Sequence, residues 1–194
     1  MRLATGRDRS AVAGMLARAF QDDPAFGYIF PDPAARARQL PRLFRLLYDS
    51  DGEAGMRLVS EGGEATTLWR GPGRAAMGWG EIVRYLIPFA GALGTAIPRA
   101  LQVSGAVDAH MPQGDFWYLH IAGCDPAAQG RGFGRRALMA GLERAAGRTP
   151  CYLETATERN LGFYASVGFA VTDEWRVGRD GPRFWSMLRP AERR

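Results

Sequence analysis

Between Asp8 and Phe20, apolar residues fall at Val12, Leu16, Ala19 and Phe20. Spacings of three and four predict an amphipathic helix, with Asp8 placed to cap it. A short strand, Arg2 to Ala4, precedes it, and a second helix is expected over Ala34 to Tyr48, lightly broken at Pro41. Arg57 to Val59 and Ala65 to Trp69 read as strands joined across Gly62-Gly63, a hairpin signal. Phe116 to Cys124 is a buried strand and Gly134 to Ala146 a helix. Cys151 to Thr155 is the next strand, and Arg159 to Val167 a helix ended by Gly168. Phe169 to Trp175 and Arg183 to Leu188 form a closing antiparallel pair across Gly178 to Gly181. The order predicts an α/β (α+β) fold: a mixed, mostly antiparallel sheet flanked by helices, with one parallel pair.

One segment breaks the pattern. Leu86 to Pro98 is apolar all round, is interrupted by Pro88, Gly91, Gly94 and Pro98, and is flanked by Arg84 and Arg99. It is too short to span a membrane. A helix pair that is buried, or that covers a functional site, is expected; contact with a membrane surface is the lesser alternative. The apolar run bracketed by Arg7, Arg9 and Arg18 is too short for an export signal.

The 194 residues suffice for one domain, expected over residues 1–194. No repeat or low-complexity linker divides them. Cys124 and Cys151 lie in apolar strands and read as buried reduced thiols of a cytosolic protein. His110 and His120 are the only histidines, without metal-ligand spacing, so no metal is expected. The net charge of +5 comes from arginine, since the chain contains no lysine. Charge alone would permit a nucleic-acid partner, but no such motif is present and none is expected. An anionic small ligand accounts better for the surplus.

Gln129-Gly130-Arg131-Gly132-Phe133-Gly134-Arg135-Arg136 points to that ligand. It lies between a predicted strand and a predicted helix. Glycines at alternate positions let the backbone turn tightly and approach a ligand. The unpaired N–H groups and the dipole of the following helix then form an anion site, most often for phosphate. Without lysine, a Walker loop, a protein-kinase site and a pyridoxal phosphate Schiff base are excluded. A dinucleotide site would use Gly130 and Gly132, with Glu154 on the ribose. However, Arg135 stands at its third glycine position and too few residues follow for that fold. A glycine turn without any ligand stays open on the motif alone.

The flanking residues carry a resemblance. Cys124 to Gly134 is similar to the V-x-P-x-x-[RQ]-G-x-G-x-[GA] pattern of the GCN5-related N-acetyltransferases, with Cys124 in place of valine. Asn160-Leu161-Gly162-Phe163-Tyr164 through Gly168-Phe169 resembles their second signature, N-x-x-F-Y-x-x-x-G-F. Ala19 to Pro24, Phe30-Pro31-Asp32 and Trp117-Tyr118-Leu119 resemble the puromycin-type branch, leaving about Gly71 to Gly114 least covered.

The resemblance implies acetyl-CoA as cofactor, a binding core over about residues 115–170, and direct acetyl transfer to an amine. Gln129, Gly130, Arg131, Gly132, Phe133, Gly134 and Arg135 would hold the pyrophosphate, and the strand edge at Ala122, Gly123 and Cys124 would pair with the pantetheine arm. Gly123 marks a bulge or a close backbone approach, or only relieves crowding. Tyr164 is the candidate acid for the leaving thiolate, or else a core aromatic. Asn160 is expected to contact cofactor, or to cap a helix. Glu154 is the candidate base. Asp22 and Asp23 would attract a cationic amine, or are turn residues before Pro24. The expected partner is a small amine, antibiotic-type amines among the candidates, with no membrane partner and a monomeric or homodimeric protein. A protein or peptide acceptor, a non-catalytic acyl-CoA-binding module and a nucleotide-dependent oxidoreductase are the competing readings.

Overall fold

The computed structural model describes residues 1–145, 147 and 149–191. In chain order the elements are β1 (Arg2–Leu3), α1 (Arg9–Ala19), α2 (Pro24–Ile29), α3 (Pro33–Ala54), β2 (Gly55–Val59), β3 (Ala65–Arg70), α4 (Trp79–Leu93) and α5 (Ile97–Ala109). Then follow β4 (Trp117–Cys124), α6 (Phe133–Ala145), β5 (Cys151–Thr155), α7 (Leu161–Ala165), β6 (Ala170–Arg176) and β7 (Arg183–Arg189). The expected end of the sixth helix, Ala146, lies outside the described residues.

The strands form one seven-stranded sheet in the order β1-β2-β3-β4-β5-β7-β6. Every neighbouring pair is antiparallel except β4 with β5, which α6 connects. Side chains alternate between the faces of a strand. In β3 and β4, Leu68 and Ile121 join Val12, Leu16, Leu40, Phe44 and Tyr48 of α1 and α3. Trp69 and Leu119 join Leu138 and Leu142 of α6 on the other side. Helices therefore cover both faces at the centre, which is why β3 is buried throughout.

Aspartates start two of the helices. Asp23 accepts from the N–H groups of Ala25 and Phe26, ahead of Pro24 in the first turn of α2. Asp32 does the same for Ala34 and Ala35 at the start of α3. Pro41 does not divide α3, which runs on to Ala54 because Leu40, Leu43, Phe44, Tyr48 and Asp51 form one buried stripe. Asp8 does not cap α1 with its side chain. Its carboxylate binds Arg2 and the Thr5 N–H in the preceding 3-10 turn instead.

The apolar 80s and 90s do form two helices, but the pair is not buried. The α4 helix packs on α3 and α5 on α2. Tyr85 and Ala92 of α4 face inward while Trp79, Val83, Leu86 and Ile87 face outward. From α5, Val103, Ala106 and Val107 lie on a cluster of Ala25, Ala156, Trp175, Val177 and Phe184. This helix thus bridges α2 and the β6–β7 hairpin.

Candidate active site

The parallel strands β4 and β5 pair only at Trp117 with Cys151 and Tyr118 with Tyr152. Beyond Tyr118, β4 continues to Cys124 paired with β3 alone. The edge facing β5 has no strand partner from Leu119 to Cys124 among the described residues, so its backbone groups await one. Ala122, Gly123 and Cys124 all lie in this stretch of β4. The bulge does not fall at Gly123: β3 and β4 shift register between Leu68–Ile121 and Trp69–Leu119, leaving His120 as the extra residue. Gly123 serves close packing. A Cβ there would stand 2.4 Å from Leu16 Cδ2 of α1.

The strand leads into the glycine turn. Gly130 and Gly132 adopt φ of +76° and +78°, while no non-glycine described residue, Arg131 included, has a positive φ. Backbone of alternating hand makes its N–H groups converge on an anion. The first helical bond beyond runs from the Arg136 N–H to Gly132, so the preceding N–H groups have no acceptor within α6. Arg131 and Arg136 lie over the Phe133 ring, at 5.2 and 4.4 Å. Arg135 is turned away and donates to Ser166 Oγ at 3.0 Å. The Gln129 amide folds back to the Cys124 carbonyl at 3.5 Å. Gly134 lies against Cys124 and Phe163, closing the turn onto α7. Cys151 is buried, but Cys124 is only half-buried, because its thiol sits at this turn.

Glu154 lies on β5 across the gap. It accepts a short hydrogen bond from the Tyr118 hydroxyl on Oε1, while Oε2 is buried without a partner. Burial pushes its pKa up to about 7; the bonds and charges of Tyr118 and His120 oppose the rise, and Asp108 of α5 adds to it. The Tyr118 phenol is itself raised well above its ordinary value, first by burial and then by the Glu154 charge.

Tyr118 stacks on His120 at 5.2 Å between ring centres. His120 Nδ1 lies 2.8 Å from Asp51 of α3. Asp51, fully buried, also takes Arg70 at 3.1 Å, and Arg70 reaches Glu81 of α4 at 2.8 Å. Burial pulls the His120 pKa down, but Asp51 more than reverses it and the net shift is upward. No motif announces this polar chain, because its members come from five elements. The one available signal was charge in otherwise apolar strands, at Arg70 and His120.

Tyr164 is buried in α7, its ring edge-on to Phe163 and Phe169. Its hydroxyl has no hydrogen-bond partner among the described residues. Burial, then the charges of Asp23 and Glu154, raise its pKa, so the three groups share one neighbourhood. Asp23 holds α2 and approaches Thr157 Oγ1 at 3.5 Å, while Asp22 is exposed. Asn160 precedes α7 without a side-chain cap bond. No group of three or more metal-ligating side chains occurs among the described residues.

Residues 84–169 match the model of the Acetyltransferase (GNAT) family. A stretch of 60 residues, 29% of this chain, is 38% identical to the mycothiol acetyltransferase of Nocardioides sp. (strain ATCC BAA-499 / JS614), of which it covers 20%. Another of 53 residues, 26% of this chain, is 49% identical to the N-alpha-acetyltransferase RimI of Mycobacterium tuberculosis (strain ATCC 25618 / H37Rv), of which it covers 33%. The chain thus spans a third or less of these curated relatives. In fold it is similar to a crystal structure from Corynebacterium glutamicum ATCC 13032 described as histone acetyltransferase HPA2 and related acetyltransferase. The TM-score is 0.70 at 24% identity, over 100% of this chain and 96% of that one.

Proposed function

We propose that this protein is an acetyl-CoA-dependent N-acetyltransferase that acts on the primary amine of a small molecule by direct transfer. The observation that carries the reading is the gap between β4 and β5. It has a glycine turn with two positive-φ residues at one end and a carboxyl group with a pKa of about 7 beside it. Acetyl-CoA supplies an activated acyl thioester when bound.

The residues present fit that group. The turn from Gln129 to Gly134 offers N–H groups to the pyrophosphate, with Arg131 as the exposed cation beside it. The unpaired edge at Ala122, Gly123 and Cys124 offers amide partners to the pantetheine arm. Asn160 stands at the start of α7 with its amide uncommitted.

Glu154 accepts the amine proton at Oε2. A carboxylate with a pKa near neutrality is substantially ionised at working pH and still basic enough to accept a proton. Tyr164 holds a proton at its hydroxyl at every such pH and would be the hydrogen-bond donor to a leaving thiolate. Exposed Asp22 would favour a cationic amine, whereas the Asp23 carboxylate is taken up by the start of α2 and by Thr157. The α5 helix, lying on α2 and the β6–β7 hairpin, favours a compact acceptor over an extended peptide.

The test is acetyl-CoA turnover, followed by CoA release, with a panel of small amines that includes puromycin and with peptides. Turnover of a small amine is expected. Turnover of peptide N-termini alone would replace the acceptor class. Tight acetyl-CoA binding without turnover of any acceptor would favour a non-catalytic acyl-CoA-binding module.

A further inference from the structure

The α4 helix carries an apolar ridge that nothing in the chain covers. Trp79, Val83, Leu86 and Ile87 are exposed at 84, 74, 63 and 82%. Their spacing of four, three and one puts them along one side of the helix. Leu101 of α5 is exposed as well. The 31-residue stretch Trp79–Ala109 is long and apolar enough to cross a membrane by length and composition, and only 17% of its apolar window is buried. It is folded, however, as two helices that turn at Gly94–Ala96, and Glu81 anchors the first to buried Arg70. A ridge of this kind on an anchored helix is suited to lie on a surface.

Charge decides which surface. The α3 helix, against which α4 packs, exposes Arg38, Arg42 and Arg45 at helical spacing. None of the three is ion-paired among the described residues, and Arg42 makes only a 3.4 Å contact with Gln39. Arg42 and Arg45 join Arg9 in lining a surface hollow closed by Pro88, Gly91 and Ala92 of α4. The nearby acids are already neutralised, Asp49 by Arg9 at 2.6 Å and Glu53 by Arg84 at 2.8 Å. An apolar ridge beside an unpaired arginine stripe matches a bilayer interface, where hydrocarbon lies under anionic phosphate. A second copy of the chain would supply the apolar surface, but each copy carries a net charge of +5 and the two repel.

We propose that α4 and the arginine stripe of α3 dock this protein peripherally on anionic membrane surfaces, with Trp79, Val83, Leu86 and Ile87 entering the interface and Arg38, Arg42 and Arg45 meeting lipid phosphates. This docking is independent of the acceptor and of turnover.

The experiment is co-sedimentation of the full chain with vesicles of phosphatidylglycerol and phosphatidylcholine, or of phosphatidylcholine alone. Light scattering of the protein in solution runs in parallel. Binding to the anionic vesicles is expected, weakened by salt and at least roughly tenfold weaker on phosphatidylcholine. A Val83→Asp/Ile87→Asp variant should lose at least roughly tenfold in vesicle affinity, and Arg42→Glu/Arg45→Glu should lose the preference for anionic lipid. Both keep every buried side chain, so melting temperature and acetyl-CoA binding should not change. No binding to anionic vesicles would overturn the proposal, as would binding that ignores both variants. Dimers that Ile87→Asp dissociates, without lipid binding, would assign the ridge to a second copy.

Discussion

The Tyr118 hydroxyl donates to Glu154 Oε1 across the two strands that part company just beyond it. The bond occupies one oxygen and leaves Oε2 free of partners in a buried site. A carboxyl group with one oxygen fixed and the other unclaimed is oriented for proton transfer. Glu154→Gln keeps an acceptor for Tyr118 and removes the base. kcat/KM should fall roughly 100- to 10,000-fold, and the acid limb of the wild-type profile, centred near pH 7, should vanish.

The same group makes stability depend on pH. Its folded value of about 7 lies above the ordinary 4.5, so the favourable contribution is full below pH 4.5 and is lost as pH rises through 7. Glu154→Gln should therefore match wild type in urea unfolding at pH 4 and exceed it at pH 8. The difference should be at most about 3 kcal/mol. Equal pH dependence in both proteins would remove Glu154 as the buried titrating group.

Tyr164→Phe removes one oxygen that has no partner and keeps the ring packed against Phe163 and Phe169. Melting temperature and acetyl-CoA affinity should hardly change, while kcat drops roughly 100- to 10,000-fold with little change in KM. Burial raises the phenol pKa, so wild type should show no alkaline limb from Tyr164 below about pH 10. Wild-type kcat in the folded variant would take Tyr164 out of the reaction.

Gly132→Asp puts a side chain at a φ of +78° and a negative charge in the anion turn. Acetyl-CoA should then fail to raise the melting temperature, although the apoprotein folds. Wild-type affinity would move the phosphate site elsewhere.

Gly123→Val should cost roughly 1–3 kcal/mol by driving a side chain into Leu16. Leu16→Ala in the same chain should return part of that loss, a coupling read from a double-mutant cycle. Additive effects would contradict the packing role.

Arg70→Met leaves Asp51 and Glu81 buried without their cation, and a loss of roughly 3–5 kcal/mol is expected in denaturant unfolding. In any folded fraction the His120 pKa should rise further, because Arg70 now holds it down. Proton NMR titration of His120 reads this directly.

The succession of strands and helices along the chain and the glycine turn were legible in the sequence because their signals are local. A short apolar run marks the strand at Cys151–Thr155, and paired glycines mark Gly130 and Gly132. Three features were not legible because distant residues decide them. The continuity of α3 past Pro41 comes from a buried stripe facing α1. The need for glycine at 123 comes from Leu16, more than a hundred residues away. The polar chain from Glu154 to Glu81 exists only once β4, β5, α3, β3 and α4 are assembled. The exposure of α4 was hidden for the opposite reason: an apolar helix reads as buried until its neighbours prove to cover one side only.

The two residue pairs that join β4 to β5 have a consequence for how the molecule opens. On one side lie four strands, on the other three, each group laced by antiparallel ladders of four or more residue pairs wherever β1 is not involved. Hydrogen bonds across the seam are few, so separation there breaks less backbone structure than separation between any other two neighbouring strands except β1 and β2. Amide exchange at Tyr118 and Tyr152 should therefore report a partial opening below the free energy of global unfolding. The line along which this protein first comes apart runs through the place where its chemistry is assembled.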